Sequence, residues 1–223
     1  MPVFTEQRCY DRIKMIKASN ISFAYNESTR FDFPDIECPP KASCLIIGKS
    51  GVGKTTLLHI LGGVLKPDQG SVLIGDADLS KLDGTKLDKY RGKNIGIVFQ
   101  KPHFISSLNI LENLLLTQNL AGVRMSKSDI LMVLKSLEIE DRAYSKPSKL
   151  SQGELQRASV ARAVMNQPKL ILADEPTSAL DDESCEQVLH LLQNTAREMG
   201  AALVIVTHDG RLKELIDHQI VLS

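Results

Sequence analysis

The sequence predicts an α/β fold with a mostly parallel sheet. Three observations carry that prediction. Short apolar runs alternate with helical patterns along most of the chain, as expected of strands joined by crossover helices. A glycine-rich loop follows one such run and opens a helix. A later apolar run ends in two adjacent carboxylates.

The elements follow in order. Residues 15–25 alternate apolar and polar side chains, the pattern of an edge or hairpin strand. Residues 31–33 continue it and break at Pro34, Pro39 and Pro40. Cys44-Leu45-Ile46-Ile47 reads as a buried strand entering the loop 48–53. A helix is predicted over 54–65, with Leu57, Leu58, Ile60 and Leu61 on its apolar side. Residues 71–74 and 95–99 are strand candidates, and between 75 and 90 only a loop-rich β-segment is legible. From Asn109 the pattern changes. Ile110, Leu111, Leu114 and Leu115, then Ile130, Val133, Leu134 and Leu137, fall at helical spacing and predict a helical insert. A further helix over 152–166 leads to a strand at 170–173, a helix at 183–199 and a strand at 202–206. A short helix and a strand at 219–222 close the chain.

Composition excludes several classes. The 223 residues hold 27 Lys and Arg against 27 Asp and Glu, which leaves no basic surplus for broad nucleic-acid binding. Six Phe, four Tyr and no Trp make a base-stacking platform equally unexpected. A 43% hydrophobic fraction excludes wholesale disorder. No apolar run approaches the ~20 residues that cross a bilayer, and no export signal is visible at the N-terminus. Cys9, Cys38, Cys44 and Cys185 show neither a C-x-x-C pair nor zinc spacing, so reduced thiols in a cytosolic protein are expected.

Gly48-Lys49-Ser50-Gly51-Val52-Gly53-Lys54-Thr55 fits G-x-x-x-x-G-K-[ST] in full, between a strand and a helix. Its glycines let backbone N–H groups surround a phosphate, and the helix N-terminus adds partial positive charge. Lys54 is placed to reach the β- and γ-phosphates, and Thr55 to offer a hydroxyl to Mg²⁺. Thr56, in the first helical turn, is expected at the α-phosphate. In Leu170-Ile171-Leu172-Ala173-Asp174-Glu175, successive side chains point to opposite faces, so the two carboxylates should differ in role. Asp174 is the candidate to hold Mg²⁺ and Glu175 the candidate to orient and deprotonate the attacking water.

The stretch between these motifs is more specific. Leu150-Ser151-Gln152-Gly153-Glu154-Leu155-Gln156-Arg157 resembles the signature motif of the ATP-binding cassette (ABC) ATPases. Ser178-Ala179-Leu180-Asp181 resembles that family's D-loop, Gln100 its Q-loop, and His208 in Thr207-His208-Asp209 its switch histidine. Tyr25 sits where the family often sets an aromatic against adenine. Within the family, residues 99–100, 108–113 and 173–181 look like the lipoprotein-release, macrolide-export and cell-division branch.

The resemblance implies an ABC-type P-loop NTPase, with an antiparallel N-terminal β-subdomain and a helical subdomain at about 101–166 inserted in one domain spanning 1–223. It implies ATP and Mg²⁺, the metal held by Thr55, Gln100 and Asp174. It also implies catalysis by Glu175 and His208 with Gln100, and a head-to-tail homodimer. In that dimer Ser151 and Gly153 of one copy face the γ-phosphate held by the other, and Asp181 links the two sites. The implied partner is an integral membrane permease, on the cytoplasmic side of the inner membrane, with ATP binding and hydrolysis driving its conformational change. The alternative is a cassette that regulates a cell-envelope partner without moving cargo. His103 to Leu108 are apolar for a loop and are expected to line a groove for a permease helix. The signature departs from L-S-G-G-Q at Gln152 and Glu154. Ser151 and Glu154 form a capping-box pattern, so Glu154 reads either as a helix cap or as a charge that weakens closure.

Overall fold

The computed structural model describes residues 15–123, 125–178 and 180–223. Two sheets organise them. The first is antiparallel: β1 (Ile16–Asn26) pairs with β2 (Thr29–Asp32), β3 (Ile36–Cys38) and β5 (Gln69–Ile74), and β5 pairs with β6 (Ala77–Asp78). Residues 15–25 form the expected hairpin strand, with β2, but lie at the centre of this sheet rather than its edge, because β1 carries partners on both sides. The second sheet is parallel throughout, in the order β10 (Gln219–Leu222), β4 (Ser43–Gly48), β9 (Ala202–Thr207), β8 (Leu170–Asp174), β7 (Ile95–Val98).

Both faces of the parallel sheet are covered, which is why its strands read as continuous apolar runs. Period-two alternation divides its side chains. Leu45, Ile171, Ala173, Leu203 and Ile205 enter a core shared with helices α3 (Ile110–Ala121), α4 (Lys127–Ser136), α5 (Gln152–Val164) and α6 (Asp182–Met199). Ile46, Leu170, Leu172, Val204 and Val206 enter a second core with helix α1 (Lys54–Leu61) and the antiparallel sheet.

Two expectations are corrected. The helix predicted over 54–65 stops at Leu61, because Gly62 caps it and Gly63 takes φ +63°. The next two N–H groups, of Val64 and Leu65, then turn back to the His59 carbonyl. The segment at 75–90 is not a loop-rich β-stretch. It holds β6, a 3₁₀ turn and the start of helix α2 (Gly84–Asn94). No residue of α2 is fully buried, so the helix carries little periodic apolar signal.

Between β7 and β8 the chain forms α3, α4 and α5. Helix α5 lies so close to β7 that a Cβ on Gly96 would stand 2.1 Å from the Ala163 carbonyl oxygen. Among the described residues no helix is long and apolar enough to cross a membrane.

Candidate active site

Topology brings the site together. Strands β4, β9 and β8 are parallel neighbours, with Ile47 opposite Thr207 and Asp174 opposite Val206. Their C-terminal ends therefore present the glycine-rich loop, His208 and the Asp174-Glu175 pair side by side, where open parallel sheets place their binding crevices. Strand β7 adds Gln100 just beyond its own C-terminal end. The resulting cleft of about 420 Å³ is lined by Ser50, Gly51, Gly53, Lys54, Thr55 and Thr56, with Phe31, Gln100, Glu175 and His208.

The loop's conformation depends on its glycines. Gly51 and Gly53 have φ of +87° and +90°, a region costly for a side chain. A Cβ at Gly48 would meet Val52 Cγ2 at 2.6 Å and the Leu222 carbonyl at 2.9 Å. Val52 packs inward, whereas Lys49 and Ser50 are exposed. Gly53 is the N-cap of α1 and offers no side-chain acceptor, so the first-turn N–H groups have no cap of their own and can meet an anion. Lys54 is buried. Its Nζ donates to the Gly48 carbonyl at 2.9 Å and the Lys49 carbonyl at 3.0 Å, and lies 3.9 Å from Glu175 Oε1.

Glu175 is held from several directions. The Thr207 hydroxyl donates to Oε2 at 2.6 Å, and the His208 backbone N–H donates to Oε1 at 3.1 Å. His208 Nδ1 lies 2.7 Å from Oε1. The residue takes φ +47°, which costs a β-carbon residue on the order of 1 kcal/mol, and its N–H bonds the Val206 carbonyl at 2.9 Å. The result is a buried carboxylate beside a cationic amine and an imidazole at the cleft floor.

Asp174 accepts from the Thr55 hydroxyl, 3.2 Å from Oδ2. Burial pushes its carboxyl above the ordinary range, while the Thr55 bond pulls the other way. A hydroxyl and a single carboxylate converging suit a hard divalent cation such as Mg²⁺. That ion takes oxygen ligands, few of them from protein, and completes its shell with phosphates and water.

Gln100 Nε2 reaches Ser178 Oγ at 3.4 Å, so its closest link here is to the segment after Glu175. The Tyr25 hydroxyl lies 3.2 Å from Thr56 Oγ1, and its ring meets Phe23 and Phe31 edge-on. The aromatic lining the cleft is Phe31. Ser151, Gly153 and Asp181 do not line it. Ser151 caps α5 through a capping box with Glu154, and a Cβ on Gly153 would meet nothing within 4 Å. Asp181 caps α6 through Ser184. Ala179 of the D-loop pattern, like Cys9, lies outside the described residues.

The capping pattern of Glu154 is formed. Its Oε2 accepts from the Ser151 N–H at 2.7 Å and its Oε1 from Arg142 Nε at 2.6 Å. These bonds, the backbone one first, hold its carboxyl down to about 2. In the loop at 103–108, Phe104 packs against the core beneath Arg162 and Asn113 bonds the Ile105 and Leu108 carbonyls, while the Ile105 side chain stays exposed. A groove of about 530 Å³ lies nearby but is lined instead by residues including Gly62, Arg91, Phe99, Leu120 and Arg162.

Three contributors escaped sequence reasoning: Phe31, Thr207 and Arg142. Thr207 was within reach, since it precedes His208 at a strand end. Arg142 carries no local signal, because its partner lies across a turn.

The ABC transporter family profile matches residues 33–178. Among solved structures, the dimeric post-hydrolysis state of the ATP-binding cassette MJ0796 bound to ADP and Pi superposes with a TM-score of 0.83 at 35% identity over 94% of both chains. The chain belongs to the ABC transporter family and is an ATP-binding, ATP-hydrolysing cassette of it. Its sequence is similar to lipoprotein-release cassettes: it is 39% identical over 179 residues to the lipoprotein-releasing system ATP-binding protein LolD of Legionella pneumophila, 79% of each chain. It is also 40% identical over 192 residues to an uncharacterised ABC transporter ATP-binding protein of Mycobacterium bovis, 84% of this chain and 57% of that one.

Proposed function

We propose that this chain is the motor subunit of a lipoprotein-release or export type system: two copies close head to tail around ATP and drive a membrane permease. One observation carries the reading. The phosphate loop, Glu175, Gln100 and His208 share a cleft, with Asp174 behind it on the Thr55 hydroxyl, whereas Ser151 and Gly153 stand at a separate, open helix N-terminus. A second copy would bring that terminus to the γ-phosphate. The family's dimeric cassette structure supports this arrangement.

In this reading the loop's N–H groups and Lys54 cradle the phosphates. Thr55 and Asp174 would hold Mg²⁺, with Gln100 joining them on nucleotide binding. The ion, when bound, neutralises charge between the β- and γ-phosphates. Glu175 orients the attacking water and accepts its proton, and His208 turns from Glu175 to the γ-phosphate, which frees Oε1. Such catalysis is positioning and charge stabilisation rather than covalent chemistry. Phe31, with Tyr25 behind it, forms the base-side wall.

Residues 101–166 act as the helical subdomain that carries the signature. The groove lined by Phe99, Leu120 and Arg162 adjoins Gln100 and receives a cytoplasmic helix of the permease. Leu120 is 80% exposed, so Leu120→Asp should leave the fold and the chain's own turnover within about twofold of wild type. Affinity purification from solubilised membranes should retain an integral membrane protein on wild type and lose it on this variant. Equal retention would contradict the assignment of the groove.

A further inference from the structure

Arg211 stands outside the catalytic cleft but joins two of the segments that serve it. It lies three residues beyond His208, in a 3₁₀ turn capped by Asp209. Its Nε donates to Asp209 Oδ1 at 2.9 Å and its Nη2 to Oδ2 at 2.7 Å, a bidentate pairing. The same guanidinium reaches the other side. Nη1 donates to Asp182 Oδ1 at 2.6 Å and to the Leu180 carbonyl at 3.2 Å, and Nη2 to the Thr177 carbonyl at 3.4 Å. One planar group thus spans 209 on the switch-histidine side and 177–182 on the D-loop side.

The link continues to the catalytic carboxylate. The Thr177 hydroxyl donates to Asp209 Oδ2 at 3.1 Å. The Asp209 N–H donates to Thr207 Oγ1 at 3.0 Å, and that hydroxyl donates to Glu175 Oε2 at 2.6 Å. Asp209 is held below the usual carboxylate range, chiefly by its bond to Arg211, and Arg211 is held charged by Asp209 and Asp182. Asp209 and Thr177 are shielded from solvent, whereas Asp182 is 91% exposed at the outer end.

We propose that Arg211 is a positioning residue that couples the 177–182 segment to Glu175 and His208, so that docking of a second copy against that segment sets the hydrolytic geometry. This rests on the two-copy reading above. A bare staple of the 3₁₀ turn would need only Asp209. The bonds to Asp182, Leu180 and Thr177 add nothing to that turn, yet they fix the position of the facing loop.

The test uses the full chain. Steady-state ATP turnover is measured for wild type, Arg211→Ala, Arg211→Lys, Asp182→Ala and the Arg211→Ala/Asp182→Ala pair, with thermal midpoints. Displacing positioning groups by about 1 Å costs up to 10²-fold. Arg211→Ala is accordingly expected to lower kcat about tenfold with KM for ATP within about twofold, and to bring the Hill coefficient to one. Arg211→Lys should recover part of kcat, because a lysine keeps the charge but not the fork. Asp182→Ala should lower kcat with an unchanged thermal midpoint, and the double variant should be no worse than Arg211→Ala alone.

Wild-type kcat and cooperativity in Arg211→Ala would overturn the inference. So would losses that follow a lowered thermal midpoint and a raised KM, or additive losses in the double variant. Sedimentation of ATP-loaded Glu175→Gln separates the two claims. A dimer combined with normal turnover in Arg211→Ala rejects only the coupling. A monomer rejects the two-copy reading, and the coupling with it.

Discussion

At the residue scale, chemistry concentrates in a few side chains whose neighbours define their role. Glu175 and Asp174 are adjacent in sequence yet meet different partners, Glu175 the Thr207 hydroxyl and His208, Asp174 the Thr55 hydroxyl. Strand alternation foretold that the two would differ, but Glu175 lies just past β8 at φ +47°, so the turn as well as the pleat sets the division. The cap made by Glu154 was legible too, but its pairing with Arg142 was not, because that partner is reached only through the fold. Its carboxyl is depressed from 4.5 to about 2, so the stability it contributes is fully present above about pH 4.5 and is lost as pH falls through about 2. Glu154→Gln should therefore lower the thermal midpoint at neutral pH, and the gap to wild type should close as pH approaches 2. A gap independent of pH would show that the capping geometry, not the charge, is what matters.

At the element scale, the parallel strands were legible because both their faces are buried. Even- and odd-numbered residues of β4, β8 and β9 enter different cores, which leaves an uninterrupted apolar run in each. Helix α2 was illegible for the opposite reason. It buries no residue fully, contains Gly84 and Gly92, and lies against α3 through Gly92, whose added Cβ would stand 3.2 Å from Ala121. The central place of β1 was also hidden, since alternation does not report how many partners a strand has. The contact of α5 with β7 ties the element that starts at Ser151 to the one that ends before Gln100. Gly96→Ala should force these apart and cost about 1–3 kcal/mol. Chemical denaturation measures this directly, and an unchanged midpoint would mean that the two elements yield freely.

At the scale of the whole molecule, the net charge is zero and, among the described residues, no helix is long and apolar enough to cross a membrane. The cleft is lined by the glycine-rich loop, Glu175 and His208, while Ser151 and Gly153 lie outside it. ATP in such a half-site becomes a ligand that favours the closed pair, and hydrolysis removes that bias. In the proposed reading, the groove beside Gln100 would carry the change to a membrane partner. The central claim is that Glu175 ends the closed state by activating water within a two-copy site. The most direct measurement is the mass of Glu175→Gln in ATP and Mg²⁺ by sedimentation, together with its turnover. The account predicts a stable dimer holding ATP in both sites, with turnover reduced by at least about 10²-fold. A monomer that binds ATP and hydrolyses it at the wild-type rate would contradict it.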